Sequence, residues 1–583
     1  MESVLIANRG EIAVRIIRAV AERGMRTIAV YSELDRDAVH VDLADEAWNI
    51  GPAPAAESYL NIDRIIEVAA ESGADAVHPG YGFLAENADF AQAVIDADLI
   101  WIGPPPHAIA TMGDKIASRR AATEAGVEGV PGSIDPVTAV SEVRRIGDEV
   151  GYPLAIKAAH GGGGKGLKIV HDPADVDDAY ESARRESEAW FASPEVYVEK
   201  YLQNTRHIEA QVLFDTQGNG VFLGERDCSA QRRHQKLIEE TPAVGLTADQ
   251  RTTLGEKALA VAAAAGYQNA GTVEFLLDES GDFYFLEMNT RLQVEHTITE
   301  IVTGIDLVHA QLSVATGQPL PITKTPEPRG HAIEMRINAE DPGRDFAPSP
   351  GDIVEYREPG GYGVRVDSGV RSGSTVSQYY DNLIAKLIVW GADRAEAIDR
   401  ARRALREFTI TGVATTIPAH LVILDHPTFV AGEHHTKFVE DHLDLSGLEH
   451  PAAPAIPEDE ELTERSITVE VGGRRFVVKL WAPPLPQQSA GTRRAAPRRR
   501  PPRLDSGTSS AEGDGVVRAP MQGTIVKVHH EAGTAVKAGE AVCVLEAMKM
   551  ENEISAPIDG EIVELRVQPG DAVSSGSVLM IVR

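Results

Sequence analysis

Two stretches near the C-terminus carry one pattern, offset by 37 residues without a gap. The first reads Ala519-Pro520-x-x-Gly523-x-Ile525-Val526, then Gly533-x-x-Val536-x-x-Gly539. The second reads Ala556-Pro557-x-x-Gly560-x-Ile562-Val563, then Gly570-x-x-Val573-x-x-Gly576. So short a repeat predicts two halves of one small β unit. Between the halves, where the chain must turn, lies Glu546-Ala547-Met548-Lys549-Met550. A lone lysine at the tip of a quasi-symmetric hairpin is poorly placed for a core or an ion pair. It is well placed as a covalent handle.

The 583 residues exceed what one core can organise, so several domains are expected. Apolar residues at 43% and charged residues at 25% fit a soluble globular protein. A net charge of −32 argues against general nucleic-acid binding, which needs a basic face, but not against a local basic pocket for a nucleotide. Two cysteines, Cys228 and Cys543, cannot form a disulfide framework, and a cytoplasmic setting is expected. The N-terminus lacks the charged and apolar regions of a signal peptide, and no apolar run has the length of a membrane span, so no membrane partner is expected.

Strand and helix signals alternate over residues 1–114. Val4–Ala7, Thr27–Val30, Ala74–Val77 and Leu99–Ile102 read as strands, and Ile12, Ile16, Ile17 and Val20 recur at helical spacing. This predicts a parallel sheet with flanking helices. Residues 467–481 read as a β-hairpin turning at Gly472-Gly473. Residues 483–514 are rich in Pro, Ser, Gly and Arg and nearly devoid of bulky apolar side chains, the composition of a disordered linker. As a flexible coil it would span about 30 Å r.m.s., and on the order of 100 Å fully extended.

Three polar clusters carry candidate chemistry. The first is Lys157-Ala158-Ala159-His160-Gly161-Gly162-Gly163-Gly164-Lys165-Gly166. Consecutive glycines let backbone N–H groups approach phosphate oxygens, and the lysines add positive charge. It is not a Walker A loop, because Lys165 is followed by Gly166 rather than Ser or Thr. The second runs from Phe285 to His296, preceded by Glu274. Glu274, Glu287 and the Asn289 amide are hard oxygen donors suited to a Mg²⁺ (or Mn²⁺) ion bridging phosphates. The third, Glu225 to Lys236, is polar and strongly cationic; it holds an anion or forms a surface ion-pair network.

Taken together these motifs resemble the biotin-dependent carboxylases. Residues 1 to about 445 are similar to a biotin carboxylase of the ATP-grasp superfamily. The resemblance rests on Ala7-Asn8-Arg9-Gly10-Glu11-Ile12-Ala13, His78 to Asn87, Met112-Gly113-Asp114-Lys115, the tetraglycine loop, Glu225–Lys236 and Glu287–Glu295. Residues 515–583 resemble a biotin carboxyl carrier domain, with Ala547-Met548-Lys549-Met550 as its biotinylation motif. In a chain of this length without a carboxyltransferase domain, the nearest resemblance is to the α subunits of acyl-CoA carboxylases of actinobacterial type.

The resemblance implies a multidomain α/β and α+β fold. A Rossmann-like N-lobe (1–114) precedes an ATP-grasp domain (115–320) and a mixed α/β C-lobe (321–446). A connecting region with the hairpin (447–482), the linker (483–514) and an all-β flattened barrel of biotinyl/lipoyl type (515–583) complete the chain. It implies that Lys115, Lys157, Gly161, Gly162, Gly163, Gly164 and Gly166 contact ATP phosphates. Glu199, Lys200 and Leu202 hold adenine, with His207, Gln231 and His234 nearby. Glu274, Glu287 and Asn289 hold the metal. Lys236, Arg291, Gln293 and Val294 bind bicarbonate, Glu295 is the general base, and Arg336 stabilises the enolate charge on biotin. Tyr81 and Asp381 lie near the biotin. The implied partners are a carboxyltransferase β subunit, a biotin protein ligase and further copies of the same chain; the implied acceptors are acetyl-CoA and propionyl-CoA. Another ATP-grasp ligase of carbamoyl-phosphate, pyruvate or urea type, a lipoyl carrier fused to an ATP-grasp ligase, and a non-catalytic scaffold are the competing readings. Methionines on both sides of Lys549 favour biotin over lipoate. If Lys549 is the handle, Lys549→Arg abolishes acyl-CoA carboxylation but leaves ATP-dependent carboxylation of free biotin intact. Coupled assays of the two half-reactions check this.

Overall fold

The computed structural model describes residues 1–133, 135–158, 168–191, 194–320, 322–448, 463–471, 474–482, 515–520, 523–530, 532–547, 550–573 and 576–583. The tetraglycine loop, the 483–514 segment, the Gly472-Gly473 turn and Met548-Lys549 lie outside the described residues. The chain divides into two compact units, 1–451 and 452–583.

In the larger unit, β1 (Ser3–Ile6), β2 (Arg26–Ser32), β3 (Glu46–Gly51), β4 (Ala76–His78) and β5 (Ile100–Trp101) form a parallel sheet in the order β3-β2-β1-β4-β5. Its strands are apolar runs because both faces are covered. Val4 and Ile6 join a core with Ile12, Ile16 and Val20 of helix α1 (Gly10–Glu22). Leu5 and Ala7 face the opposite core, with Ile65, Val68 and Phe90. The edge strand β3 has no such signature: of its six residues only Ile50 is buried, so it escapes a search for apolar runs.

A second, antiparallel sheet of three strands, β6 (Leu154–Ala158), β7 (Lys168–Val170) and β8 (Val196–Lys200), follows in the order β7-β6-β8. Helices Val140–Val150 and Val176–Phe191 supply its small core: Val143, Ile146 and Tyr180 pack with Leu154, Ile156, Val196 and Val198.

The third sheet positions the chemistry. It contains β9 (Arg206–Phe214), β10 (Gly220–Arg232), β11 (Gln235–Thr241), β12 (Asn269–Leu277), β13 (Phe283–Asn289) and β14 (His331–Asn338). The strands Leu383–Gly391 and Val364–Ser368 extend it. The order is β13-β12-β9-β10-β11-β14, then Leu383–Gly391, then Val364–Ser368, with every neighbouring pair antiparallel. Pairing of β11 with β14, Ile238 opposite Met335 and Thr241 opposite Ala332, makes one continuous sheet of residues on both sides of position 320. Helix Ala248–Ala264, opened by a Thr247–Gln250 capping box, covers one face with Leu254, Ala258 and Val261.

The smaller unit repeats itself. Shifted by 37, strand Gly523–Val528 falls on Gly560–Leu565, and Ala535–Val536 falls on Ala572–Val573. Each half contributes to two four-stranded antiparallel sheets around a core of Ile525, Val542, Leu545, Ile562, Leu579 and Val582. Strands Ala541–Ala547 and Met550–Ser555 pair with Ala547 opposite Met550. The hairpin expected at 467–481 is present as Thr463–Val471 paired with Arg474–Ala482. Among the described residues no helix is long and apolar enough to cross a membrane.

The packing beneath the third sheet is testable. Phe275 is fully buried and meets Phe283 and Phe285 edge-on at 6.2 and 6.4 Å. Phe275→Ala removes that contact and leaves a cavity, at a cost of about 3–5 kcal/mol. The expected readout is a lower denaturant midpoint for unfolding of the larger unit.

Candidate active site

Polar residues at alternate positions of an otherwise apolar strand share one face. On β9 these are His207, Glu209 and Gln211, all buried. Pairing then sets Glu287 of β13 opposite Glu274 of β12, Glu274 opposite Glu209 of β9, and Glu209 opposite Arg226 of β10. Three carboxylates in a row repel and destabilise a sheet unless cations are inserted.

Two cations meet that need. Lys236 of β11 donates to Glu209 Oε2 at 2.6 Å, Glu274 Oε1 at 3.0 Å and Glu295 Oε1 at 2.7 Å, using all three ammonium protons. Arg226, fully buried, donates to Glu209 through Nε. Its Nη1 reaches Gln211 and Thr299 at 2.8 and 2.9 Å, and its Nη2 reaches Thr272 and Gln293 at 3.2 and 2.6 Å. A guanidinium buried this deeply is tolerable because every donor has an acceptor. The cluster is therefore an interior network rather than a surface one.

The base candidate, Glu295, caps the helix His296–Thr303 and is held from two sides. Lys236 takes Oε1, and Arg336 Nη2 of β14 takes Oε2 at 2.9 Å. Arg336 Nε donates at 2.5 Å to Glu239, which has no other donor on its second oxygen. Burial alone would raise Glu295, but Lys236, Arg336 and Arg226 hold it well below the usual carboxylate range. Burial does prevail at Glu239, which is pushed up to about 7 despite Arg336, with the charge of Glu295 adding to the rise.

A cavity of about 850 Å³ opens over this face of the sheet. It brings together Lys157, Glu199, Lys200, Leu202, His207, Gln231, His234, Lys236, Glu274, Glu287, Asn289, Arg291, Gln293, Val294, Glu295 and Arg336, with Tyr81 and Asp381 at its wall. Of the residues expected from the sequence, Lys115 opens helix Lys115–Glu124 and does not line the cavity; the glycine loop lies outside the described residues. The Glu199 carboxylate is taken by Lys157 at 2.6 Å and Arg119 at 2.8 Å, and Lys200 Nζ by the Val150 carbonyl at 2.8 Å. His234 is aimed by the two-residue turn joining β10 to β11. Arg233 and His234 both have positive φ, +46° and +66°, a conformation that non-glycine residues rarely adopt. Arg232 and Arg233 anchor that turn on Asp345.

The donor set at the cavity floor fits a hard divalent cation. Glu274 and Glu287 are cross-strand neighbours, and Asn289 is two residues beyond Glu287. Glu274 accepts from Lys236, and His207 Nε2 lies 2.8 Å from its other oxygen. Burial works against the charge on Glu274, but Lys236 and His207 hold its pKa well down. Burial and the Glu274 charge push Glu287 up. Asn289 Oδ1 is steadied by Arg291 Nη2 at 2.7 Å, and Arg291 Nε in turn by Glu86 at 2.9 Å.

Glu209 and Glu239 were not singled out from the sequence, and Arg226 only as a member of the Glu225–Lys236 cluster. The polar alternation His207-x-Glu209-x-Gln211 within an apolar strand was a usable signal for the first.

A parallel N-lobe, a small antiparallel lid and a metal-ready carboxylate row over a broad sheet define an ATP-grasp enzyme, and the second unit defines a biotinyl-type carrier. Comparison with known proteins agrees along the chain. The family described as biotin carboxylase, N-terminal domain, matches residues 1–109, and that described as carbamoyl-phosphate synthase L chain, ATP binding domain, matches 114–323. The biotin carboxylase C-terminal domain matches 334–441, and the family described as biotin-requiring enzyme matches 515–582. The chain belongs to the biotin-dependent carboxylases, as an α subunit that joins a biotin carboxylase to its biotin carrier. It is similar to the biotin-dependent acyl-coenzyme A carboxylase alpha3 subunit of Mycobacterium leprae, 50% identical over 95% of this chain and 94% of that one. The propionyl-CoA carboxylase alpha chain of Ruegeria pomeroyi is 38% identical over 94% and 95% of the two chains. Among solved structures, the biotin carboxylase domain dimer of the Hydrogenobacter thermophilus 2-oxoglutarate carboxylase, with MgADP, ADP and bicarbonate, superposes with a TM-score of 0.72. It is 46% identical and covers 77% of this chain and 99% of that one.

Arg336 can be tested apart from nucleotide binding. Arg336→Ala removes the donor that reaches Glu239 at 2.5 Å and Glu295 at 2.9 Å. Biotin carboxylation is expected to fall by about 10²–10³, as when a preorganised donor to a developing anion is removed. MgADP affinity by calorimetry stays near that of the parent; a pure binding defect argues against the role.

Proposed function

We propose that this chain carboxylates carrier-held biotin with bicarbonate and ATP, and that its carrier unit delivers the carboxyl group to a separate carboxyltransferase β subunit. Acetyl-CoA, propionyl-CoA or both are the acceptors. The observation that carries the reading is Glu295, a general base candidate clasped by Lys236 and Arg336 within the same cavity as Glu274, Glu287 and Asn289.

Bicarbonate is a poor electrophile and must be activated by phosphorylation. For that step the protein positions reactants and neutralises charge. Glu274, Glu287 and Asn289 would hold magnesium, which when bound neutralises and bridges phosphate oxygens. Lys157 and the loop Gly161–Gly166 would cradle the phosphates, with Leu202, Gln231 and His234 beside the nucleoside. Arg291, Lys236, Gln293 and Val294 would orient bicarbonate. An anion entering between Lys236 and Arg336 shares their protons, so the hold on Glu295 weakens and its basicity rises. Glu295 then takes the bicarbonate proton as the bicarbonate oxygen attacks the terminal phosphorus of ATP and ADP leaves, giving carboxyphosphate. This breaks down to CO2 and phosphate, and the phosphate takes the proton from the biotin ureido nitrogen, which then bonds the CO2 carbon. Biotin attached at Lys549 supplies the carboxyl acceptor. Arg336, released from Glu295 by proton transfer, is left to face the charge that develops there.

The similar acyl-CoA carboxylase α chains support the choice of acceptors, and the dimeric biotin carboxylase neighbour supports self-association through the larger unit. A biotin protein ligase would load Lys549. The decisive assay measures ATP cleavage as a function of bicarbonate and biotin. Glu295→Gln is expected to lower it by about 10²–10⁴, the worth of a positioned general base, with MgADP affinity retained. Bicarbonate-independent ATP cleavage in the parent chain would sink the reading. Co-purification with the partner and assay on a short acyl-CoA panel decides the acceptor.

A further inference from the structure

Lys386 is a fully buried lysine outside the set of residues assigned above. It sits on strand Leu383–Gly391, opposite Arg336 on one side and Asp367 on the other. Its ammonium donates to the Val294 carbonyl at 2.9 Å and meets Glu11 Oε2 of helix α1 at 3.3 Å. The Tyr81 ring centroid is 5.9 Å away. Burying an ammonium costs several kcal/mol unless it is paired and hydrogen-bonded. A lobe junction alone could be made with apolar residues, so the hydrogen-bond acceptor is informative.

That acceptor belongs to the segment Gln293-Val294-Glu295. The Gln293 carbonyl is met by His296 Nδ1 at 2.8 Å, and the Gln293 side chain is fixed between Arg226 and Glu274. The Glu295 carboxylate is fixed by Lys236 and Arg336. The Val294 carbonyl is the remaining backbone handle before Glu295, and it is part of the peptide whose N–H belongs to Glu295. Neighbours on one sheet, Arg336 and Lys386, therefore grip the same short segment. One holds a side chain, the other a peptide plane.

We propose that Lys386 is a positioning residue for the bicarbonate step: by fixing the Val294 carbonyl it sets the Val294–Glu295 peptide plane and aims the Glu295 carboxylate between Lys236 and Arg336. This rests on the reading of Gln293–Glu295 as the bicarbonate segment. Glu11 acts as counter-charge. Burial pushes it up to about 7 against the pull of Lys386, and neither of its oxygens has hydrogen-bond geometry to a donor. The Val294 contact should thus matter more to catalysis than the ion pair.

The experiment uses the full chain and measures the KM for bicarbonate in ATP cleavage with free biotin, alongside the Kd for MgADP. Lys386→Met is expected to raise the bicarbonate KM about tenfold or more while MgADP affinity stays within about twofold, the pattern of a misplaced reacting group. Glu11→Gln keeps the Val294 bond and is expected to leave both constants within about twofold. If Lys386→Met does not fold, Glu11→Gln/Lys386→Met removes both members of the buried ion pair, leaving Asp367 to Arg365, and the same rise is expected relative to Glu11→Gln. An unchanged KM in the lysine variants, an equal rise in Glu11→Gln, or a double variant that also fails to fold overturns the proposal and leaves Lys386 as a lobe junction. Absence of bicarbonate-dependent ATP cleavage in the parent chain would instead overturn the underlying functional reading.

Discussion

Lys236 is the interaction on which the site depends. Glu287, Glu274 and Glu209 stand in adjacent register across three strands, and Glu295 approaches from a helix start. Without a cation between them, that many carboxylates in a water-poor face would protonate or force the sheet apart. One ammonium with three protons satisfies three of them at 2.6–3.0 Å. Arg226 relieves Glu209 from below, and Arg336 shares Glu295. Glu287 is left with its pKa raised, and that imbalance points to the cation site.

The frame that fixes this arrangement is the continuous sheet. Lys236 and Arg336 lie on β11 and β14, whose pairing spans the boundary at which an ATP-grasp domain was expected to end. A base held jointly from both sides of that boundary cannot be aligned by either part alone. Glu11 comes from the N-terminal helix α1, and Lys386 from the strand beside β14, so a third lobe reaches the same point. Strands carry Lys236, Arg336 and Lys386, and a helix start carries Glu295, so rigid elements hold each group.

Much of this was legible in the sequence. The parallel lobe announced itself because strands buried on both faces are uniformly apolar, as in Val4–Ala7. The repeat around Lys549 is legible because turn glycines and inward valines recur at fixed spacing, and the strands do superpose at an offset of 37. Glu287 and Asn289 were visible as a cluster in sequence, and register brings Glu274 opposite Glu287. Less legible were partners created by register. Glu209 becomes important only when β9 lies between β12 and β10, and Lys386 only when its strand lies beside β14. Strand β3 was hidden by its half-buried edge. Local composition cannot encode which distant residue will be opposite. The cluster Glu225–Lys236, read as an anion holder or a surface ion-pair network, shows the same limit, since Arg226 is buried while Arg233, His234 and Gln235 are exposed.

Glu239 and Glu295 illustrate how identical side chains acquire different tasks. Both are buried, and both accept from Arg336. Glu295 also receives Lys236 and feels Arg226, so it stays ionised. Glu239 receives only one Nε–H, and burial, with the charge of Glu295 added, pushes it up to about 7. Splitting two carboxyl groups in this way assigns the charge to one of them and lets the other adjust when the guanidinium shifts. One guanidinium thus bridges two carboxyl groups whose environments push their pKa values apart.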